Sequence, residues 1–198
     1  WLEFTLSGKE ALTGSTPMEM RVNAGLAMAR ILEAVQTVAM SEQPAAVGGV
    51  GQMKFSPNSR NVLPGTVIFT VDIRTSDQAK LDRMRAAIEA EASGICAALG
   101  VTCAVEAVGH FDPVTFAPEL VERVRRAADR LGYTHRNIVS GAGHDACWAA
   151  KVAPATMVMC PCVDGLSHNE AEEITPEWAE KGANVLFHAV LETAEIVG

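Results

Sequence analysis

The chain of 198 residues has no surplus of basic residues, few aromatics, and no apolar run long enough to cross a bilayer. Its 16 Lys and Arg stand against 24 Asp and Glu, a net charge of -8. That balance excludes the basic face a nucleic-acid binder needs. The longest apolar stretch, residues 153–163, is interrupted by Pro154, Thr156 and Pro161. It falls short of the roughly 18–20 apolar residues of a membrane helix, so no membrane partner is expected. Sixteen Gly and nine Pro without low-complexity runs exclude a collagen-like or disordered chain. Trp1-Leu2-Glu3-Phe4 lacks the basic-then-apolar layout of a signal peptide. Five cysteines are an odd number in a chain too large to need staples, and Cys160-Pro-Cys162 lacks the spacing of a redox or zinc-knuckle pair. A reducing, cytoplasmic setting is the expectation.

What is present is a 48% hydrophobic chain with two rhythms. Residues 1–6 alternate apolar and polar side chains, as a half-buried strand does. Residues 18–40 carry Val22, Leu26, Ala29, Val35 and Val38 near one helical stripe, with Thr16-Pro17 offering a cap and a first-turn proline. Two β-rich runs follow, 46–53 and 66–73, separated by the turn chemistry of Ser56-Pro57-Asn58-Ser59-Arg60-Asn61-Val62-Leu63-Pro64-Gly65. Ser76-Asp77 caps a helix that runs to Leu99 and stops at Gly100, and residues 101–108 alternate again. The order β-α-β-β-α-β predicts a ferredoxin-like domain over residues 1–112.

Residues 113–198 read differently. A helix is expected over 118–131, short strands at 137–139 and 155–159, a loop over 161–173, and a last helix from Pro176 to Ile196. Two strands and three helices make a poor closed core, so this half reads as a piece of a larger α/β layer.

Three polar clusters ask for a chemical explanation. In Gly141-Ala142-Gly143-His144-Asp145 the glycines admit a ligand close to the backbone, although an ordinary strand-to-helix turn would look the same. In Asp164-Gly165-Leu166-Ser167-His168-Asn169-Glu170 the imidazole is a candidate metal ligand, or simply a solvated loop histidine. Asn61 and Arg74 together offer an amide and a planar fork suited to a carboxylate, but Arg74 could equally pair with Asp72 or Asp77.

Taken in order, Thr16-Pro17-Met18, the Pro57-to-Gly65 loop with Asp72-Ile73-Arg74, the Ser140-to-Ala146 turn and the Asp164-to-Glu170 loop closely resemble one family. It is the hydantoinase/carbamoylase branch of the M20 metallopeptidase-like amidohydrolases: N-carbamoyl-L-amino acid hydrolases, β-ureidopropionases and allantoate amidohydrolases. The resemblance implies an α+β chain, a ferredoxin-like lid and dimerisation domain followed by the C-terminal portion of an α/β zinc-hydrolase domain. It implies a dinuclear site of zinc, or manganese or cobalt, with His168 as the last metal ligand. It assigns Asn61 and Arg74 to the substrate carboxylate, and Gly143 and His144 to a substrate-contacting turn. The partners implied are a small ureido or N-carbamoyl acid and a second copy of the chain. The chemistry implied is attack of metal-bound hydroxide on the ureido or amide carbon.

Two departures from the family stand out. Its members are about twice as long, and the missing N-terminal part carries the other metal ligands and the general base, so no catalytic set is complete here. The family also has a substrate-binding histidine where this chain has Leu12, and losing one such donor typically costs about 10²–10³ in rate. Besides a ureido amidohydrolase, a non-catalytic dimerisation module binding a small carboxylate and a related M20 aminoacylase or dipeptidase are the alternatives.

Overall fold

The structure is a computed structural model that describes residues 1–194. The chain divides into two compact units, with the boundary between Pro113 and Val114.

Unit 1 is built on a four-stranded sheet of β1 (Leu2–Ser7), β3 (Ala46–Ser56), β5 (Thr66–Thr75) and β6 (Thr102–Ala107). The strand order is β3-β5-β1-β6, antiparallel throughout, which is the split βαβ topology expected from the sequence. The helices α1 (Ala24–Ser41) and α2 (Gln78–Leu99) make the two crossovers. Register explains the core. Phe4 lies opposite Phe69 and Val105, and Leu6 opposite Val67 and Cys103, so one face gathers the apolar set and meets both helices. Phe4 and Phe69 stack with ring centroids 5.1 Å apart, and both are fully buried. Ile31, Val35, Met84 and Ile88 close the layer from the helix side. A two-stranded ribbon, β2 (Ala11–Leu12) with β4 (Val62–Leu63), projects from the end of the sheet where β1 finishes and β5 begins.

Helix limits follow from the caps. Asp77 accepts from the Lys80 amide at the start of α2, and Gly100 at φ 66 ends it in the left-handed conformation that only glycine adopts cheaply. The helix expected from Met18 begins instead at Ala24. Residues 18–20 form a single 3₁₀ turn, Arg21 and Asn23 are extended, and the Asn23 side chain accepts from the Leu26 amide. A side-chain acceptor at Asn23 followed by the buried Ala24 and Ala27 outweighs the Thr-Pro signal upstream. Cys96 on α2 and Cys103 on β6 touch inside this unit. Burial, together with its Cys103 neighbour, pushes the Cys96 thiol up to about 11.

Unit 2 contains α3 (Pro118–Arg130), α4 (Asp145–Ala149) and α5 (Pro176–Thr193). Proline opens α3 and α5, and Thr175 caps α5 by accepting from Trp178. Ala127, Ala128, Val185 and Ala189 are its buried contact between α3 and α5, and Arg126 and Arg130 both reach Glu192 across it. The strands expected at 137–139 and 155–159 do not form: among the described residues neither segment has a ladder partner in this unit. A strand exists only by pairing, and β-rich sequence without a neighbouring strand stays irregular. Helix α5 ends at Thr193, and the expected end at Ile196 lies outside the described residues.

Candidate functional site

The candidate residues lie at two ends of the unit 1 sheet and in two loops of unit 2. The first place is the ribbon beyond the sheet. Leu12 pairs with Val62, and the Thr13 amide donates to the Asn61 carbonyl at 2.8 Å. Leu12 and Asn61 are therefore backbone neighbours, although they stand 49 positions apart in the chain by their numbers. The Leu12 side chain is exposed, and so is Asn61, whose Oδ1 accepts from the Ser59 hydroxyl at 3.1 Å. After Leu12 the chain turns: its carbonyl accepts from the amides of Ser15 and Thr16. Sequence reasoning passed over Arg21, which binds this turn. Its Nε donates to the Thr16 carbonyl at 3.0 Å, and its Nη2 to those of Thr13 at 2.7 Å and Thr16 at 2.8 Å. The available signal was negative: no acid lies three or four positions from Arg21 in either direction.

The second place is the far end of β5. Arg74 donates from Nε to the Asp72 oxygens at 2.9 and 3.1 Å and from Nη2 at 2.6 Å, while its guanidinium lies 6.0 Å from the Trp1 ring centroid. Burial pushes the Asp72 carboxyl up, but hydrogen bonds from Arg74 and Trp1 and the guanidinium charge outweigh it and hold the group below its ordinary value. The hydrogen bonds that Arg74 donates to Asp72 raise the guanidinium in turn. The pairing with Asp72 is thus realised, as one of the two readings of the sequence allowed. Arg74 and Asn61 are not brought together. Arg74 lies eight residues into the strand that starts at Thr66, about 26 Å at about 3.3 Å per residue. Asn61 precedes Thr66 and belongs to the ribbon at that other end.

The third place is unit 2. Ser140 and His144 flank the glycine turn, with Oγ and Nε2 2.7 Å apart, and the Ala142 amide donates to the same hydroxyl. A Cβ placed on Gly141 or Gly143 would meet nothing, so the fold of this chain does not itself demand glycine there. His168 is exposed and adopts φ 55, its amide donating to Glu172 at 2.8 Å. Among the described residues no group of three His, Cys, Asp or Glu side chains could hold a metal ion. The residues in hand do not fit a dinuclear centre.

A ferredoxin-like antiparallel sheet with two helices, followed by a helical second unit, makes the chain an α+β protein. Residues 7–192 match Peptidase family M20/M25/M40, and the chain belongs to that family. It is 80% identical over 197 residues to an N-carbamoyl-L-amino-acid amidohydrolase of Rhizobium meliloti, covering 100% of this chain and 47% of the relative. An allantoate amidohydrolase of Escherichia coli is 32% identical over 168 residues, covering 85% of this chain and 41% of that protein. Among solved structures, a hydantoinase/carbamoylase-family amidase from Burkholderia vietnamiensis superposes with TM-score 0.93 at 49% identity, covering 100% of this chain and 48% of that one. The chain spans about half the length of the curated relatives it matches.

Proposed function

We propose that this chain is part of a metal-dependent amidohydrolase that cleaves the ureido or amide C–N bond of N-carbamoyl-L-amino acids or related ureido acids. The 80% identity to the Rhizobium meliloti N-carbamoyl-L-amino-acid amidohydrolase, sustained over the whole chain, carries the reading. In it, unit 1 is a lid and dimerisation domain, unit 2 belongs to the catalytic domain, and the protein works in the cytoplasm. Membership of the M20 family supports a divalent metal, with zinc, manganese or cobalt the candidates. His168 contributes at most one ligand, so the rest of the centre belongs to residues outside this chain. No helix of the described residues is long and apolar enough to cross a membrane.

The chain's own residues bind and orient. Arg74 and Asn61 are donors for the substrate carboxylate, and Gly143 and His144 form a turn against the substrate. Since Asn61 and Arg74 belong to opposite ends of one sheet, a small acid held by both takes them from two copies of the chain. This supports a homodimer with shared sites. Arg74 also has to trade its Asp72 partner for the ligand. At the Leu12 position, a leucine can donate no hydrogen bond to charge developing on the attacked group.

The test is ammonia release from N-carbamoyl-L-amino acids by the full-length, metal-loaded protein. Hydrolysis of those acids is expected, and the 198-residue chain alone should release none. Absence of turnover with every N-carbamoyl and ureido acid tried would overturn the reading. Mixing full-length Asn61→Ala with full-length Arg74→Ala should restore activity that neither variant has, because mixed dimers regain one intact site. No recovery on mixing would refute site sharing. Leu12→His should raise kcat by about 10²-fold with a smaller change in KM.

A further inference from the structure

We propose that Arg21 is a positioning residue of the candidate site, holding the Leu12–Thr16 turn and, through Thr13, the Asn61 end of the ribbon in their working shape. The inference rests on the reading of that turn as a substrate-contacting element. The guanidinium spends three donations on two backbone carbonyls, those of Thr13 and Thr16, and makes no ion pair among the described residues. Backbone carbonyls are neutral acceptors, so the contact gains from charge assistance without a carboxylate that would neutralise the cation. The planar fork also fixes the two carbonyls relative to one another, which a flexible ammonium cannot do.

The base of this arm is itself fixed. Val22, the next residue, accepts from the Lys9 amide at 2.9 Å, and Asn23 caps α1. A Cβ on Gly8 would run into the Val22 carbonyl, so glycine is what lets the chain leaving β1 come this close. A continuous path therefore leads from the helical core through Val22 to Arg21, and from its guanidinium to the turn. The turn passes the constraint on: the Thr13 amide donates to Asn61 while the Thr13 carbonyl accepts from Arg21. Without the arm, residues 13–16 keep only their bonds to the Leu12 carbonyl, the single Thr13–Asn61 bond and the short β2–β4 pairing beside them. Both candidate groups would then sample a wider range of positions, which degrades catalysis steeply even when each side chain is present.

Two measurements test this on full-length Arg21→Gln and Arg21→Lys. Amide exchange at Thr13, Ser15 and Thr16 should quicken by about tenfold or more in both variants, while Phe4 and Phe69 exchange as before. Kinetically, the gain in kcat from Leu12→His should fall by at least about tenfold when Arg21→Gln is added, with the melting temperature unchanged. Turn amides that keep their protection, core amides that quicken equally, or full recovery by Arg21→Lys would each overturn the proposal. A Leu12→His gain that survives Arg21→Gln would overturn it as well. If Leu12→His gives no gain with Arg21 intact, the reading of the turn fails, and the exchange comparison alone then decides the role of Arg21.

Discussion

The two units are of similar sequence quality and very different completeness. Unit 1 pairs every strand of its sheet within its own residues and buries a two-helix layer on one face. Among the described residues, unit 2 buries an α3–α5 seam and Cys147 of α4, and leaves Leu186, Phe187, Val190 and Leu191 exposed along α5. Its β-rich segments at 155–159 and 137–139 have the composition of strands and, among the described residues, no ladder. The contrast teaches that local pattern becomes structure only where the pairing partner lies within the same stretch of chain. Burial, not propensity, separates the units.

Truncating a ring sharpens that contrast most. Phe4→Ala should cost unit 1 about 3–5 kcal/mol, the usual range for a fully buried aromatic. Phe187→Ala, at an exposed position of α5, should stay within about 0.5 kcal/mol. Denaturant midpoints of the two variants check the pair, and equal shifts would break the comparison.

Glycine replacements come next. Gly8→Ala drives a Cβ into the Val22 carbonyl, a backbone atom that cannot step aside, and should cost about 1–3 kcal/mol. Gly182→Ala on α5 meets only the Cys160 thiol. That side chain can rotate, and alanine gains up to about 1 kcal/mol of helix propensity, so the change should be near neutral. Thermal melts of both variants decide between a tight unit and a yielding one.

Thiol chemistry gives a smaller, more local contrast. With its thiol pushed to about 11 by burial and by Cys103, Cys96 is thiolate in about one molecule in a thousand at pH 8. Cys160 and Cys162 are half-buried in unit 2. Alkylation followed by peptide mass spectrometry should label Cys96 last, and only with unfolding. Early labelling of Cys96 would show that the core of unit 1 opens.

The weakest effect concerns Asp72. Its folded value is depressed, so its contribution to stability is present above the ordinary aspartate value of 3.8 and lost as pH falls through the lower folded value. The pair is partly exposed, at 34% for Asp72 and 41% for Arg74, which limits the contribution to about 1 kcal/mol. Wild type should exceed Asp72→Asn in stability at pH 6 and lose that lead near pH 2, as urea titrations at the two pH values would record.

By itself, the sequence determined the order of the four sheet strands and two helices in unit 1, because alternation in β1, β5 and β6 and the caps at Asp77 and Gly100 are local signals, whereas the β2–β4 ribbon was not legible in it. It also determined the family, since four motifs in fixed order are legible without coordinates. Tertiary structure alone decided where α1 begins, because the Asn23 cap works only with Ala24 and Ala27 buried beneath it. It decided that the β-rich segments of unit 2 stay irregular, since pairing is a property of neighbours. It decided the partners within the candidate site as well. Leu12 and Asn61 meet through a ribbon, Arg74 turns to Asp72 at the opposite end of β5, and Arg21 grips a turn whose carbonyls no periodicity could reveal. The ribbon joins residues far apart in the chain, and the Arg21 contacts depend on the exact path of a turn. The choice of Asp72 by Arg74, among the readings the sequence left open, is a matter of side-chain geometry. Only the folded chain therefore sets which atoms lie within hydrogen-bonding distance.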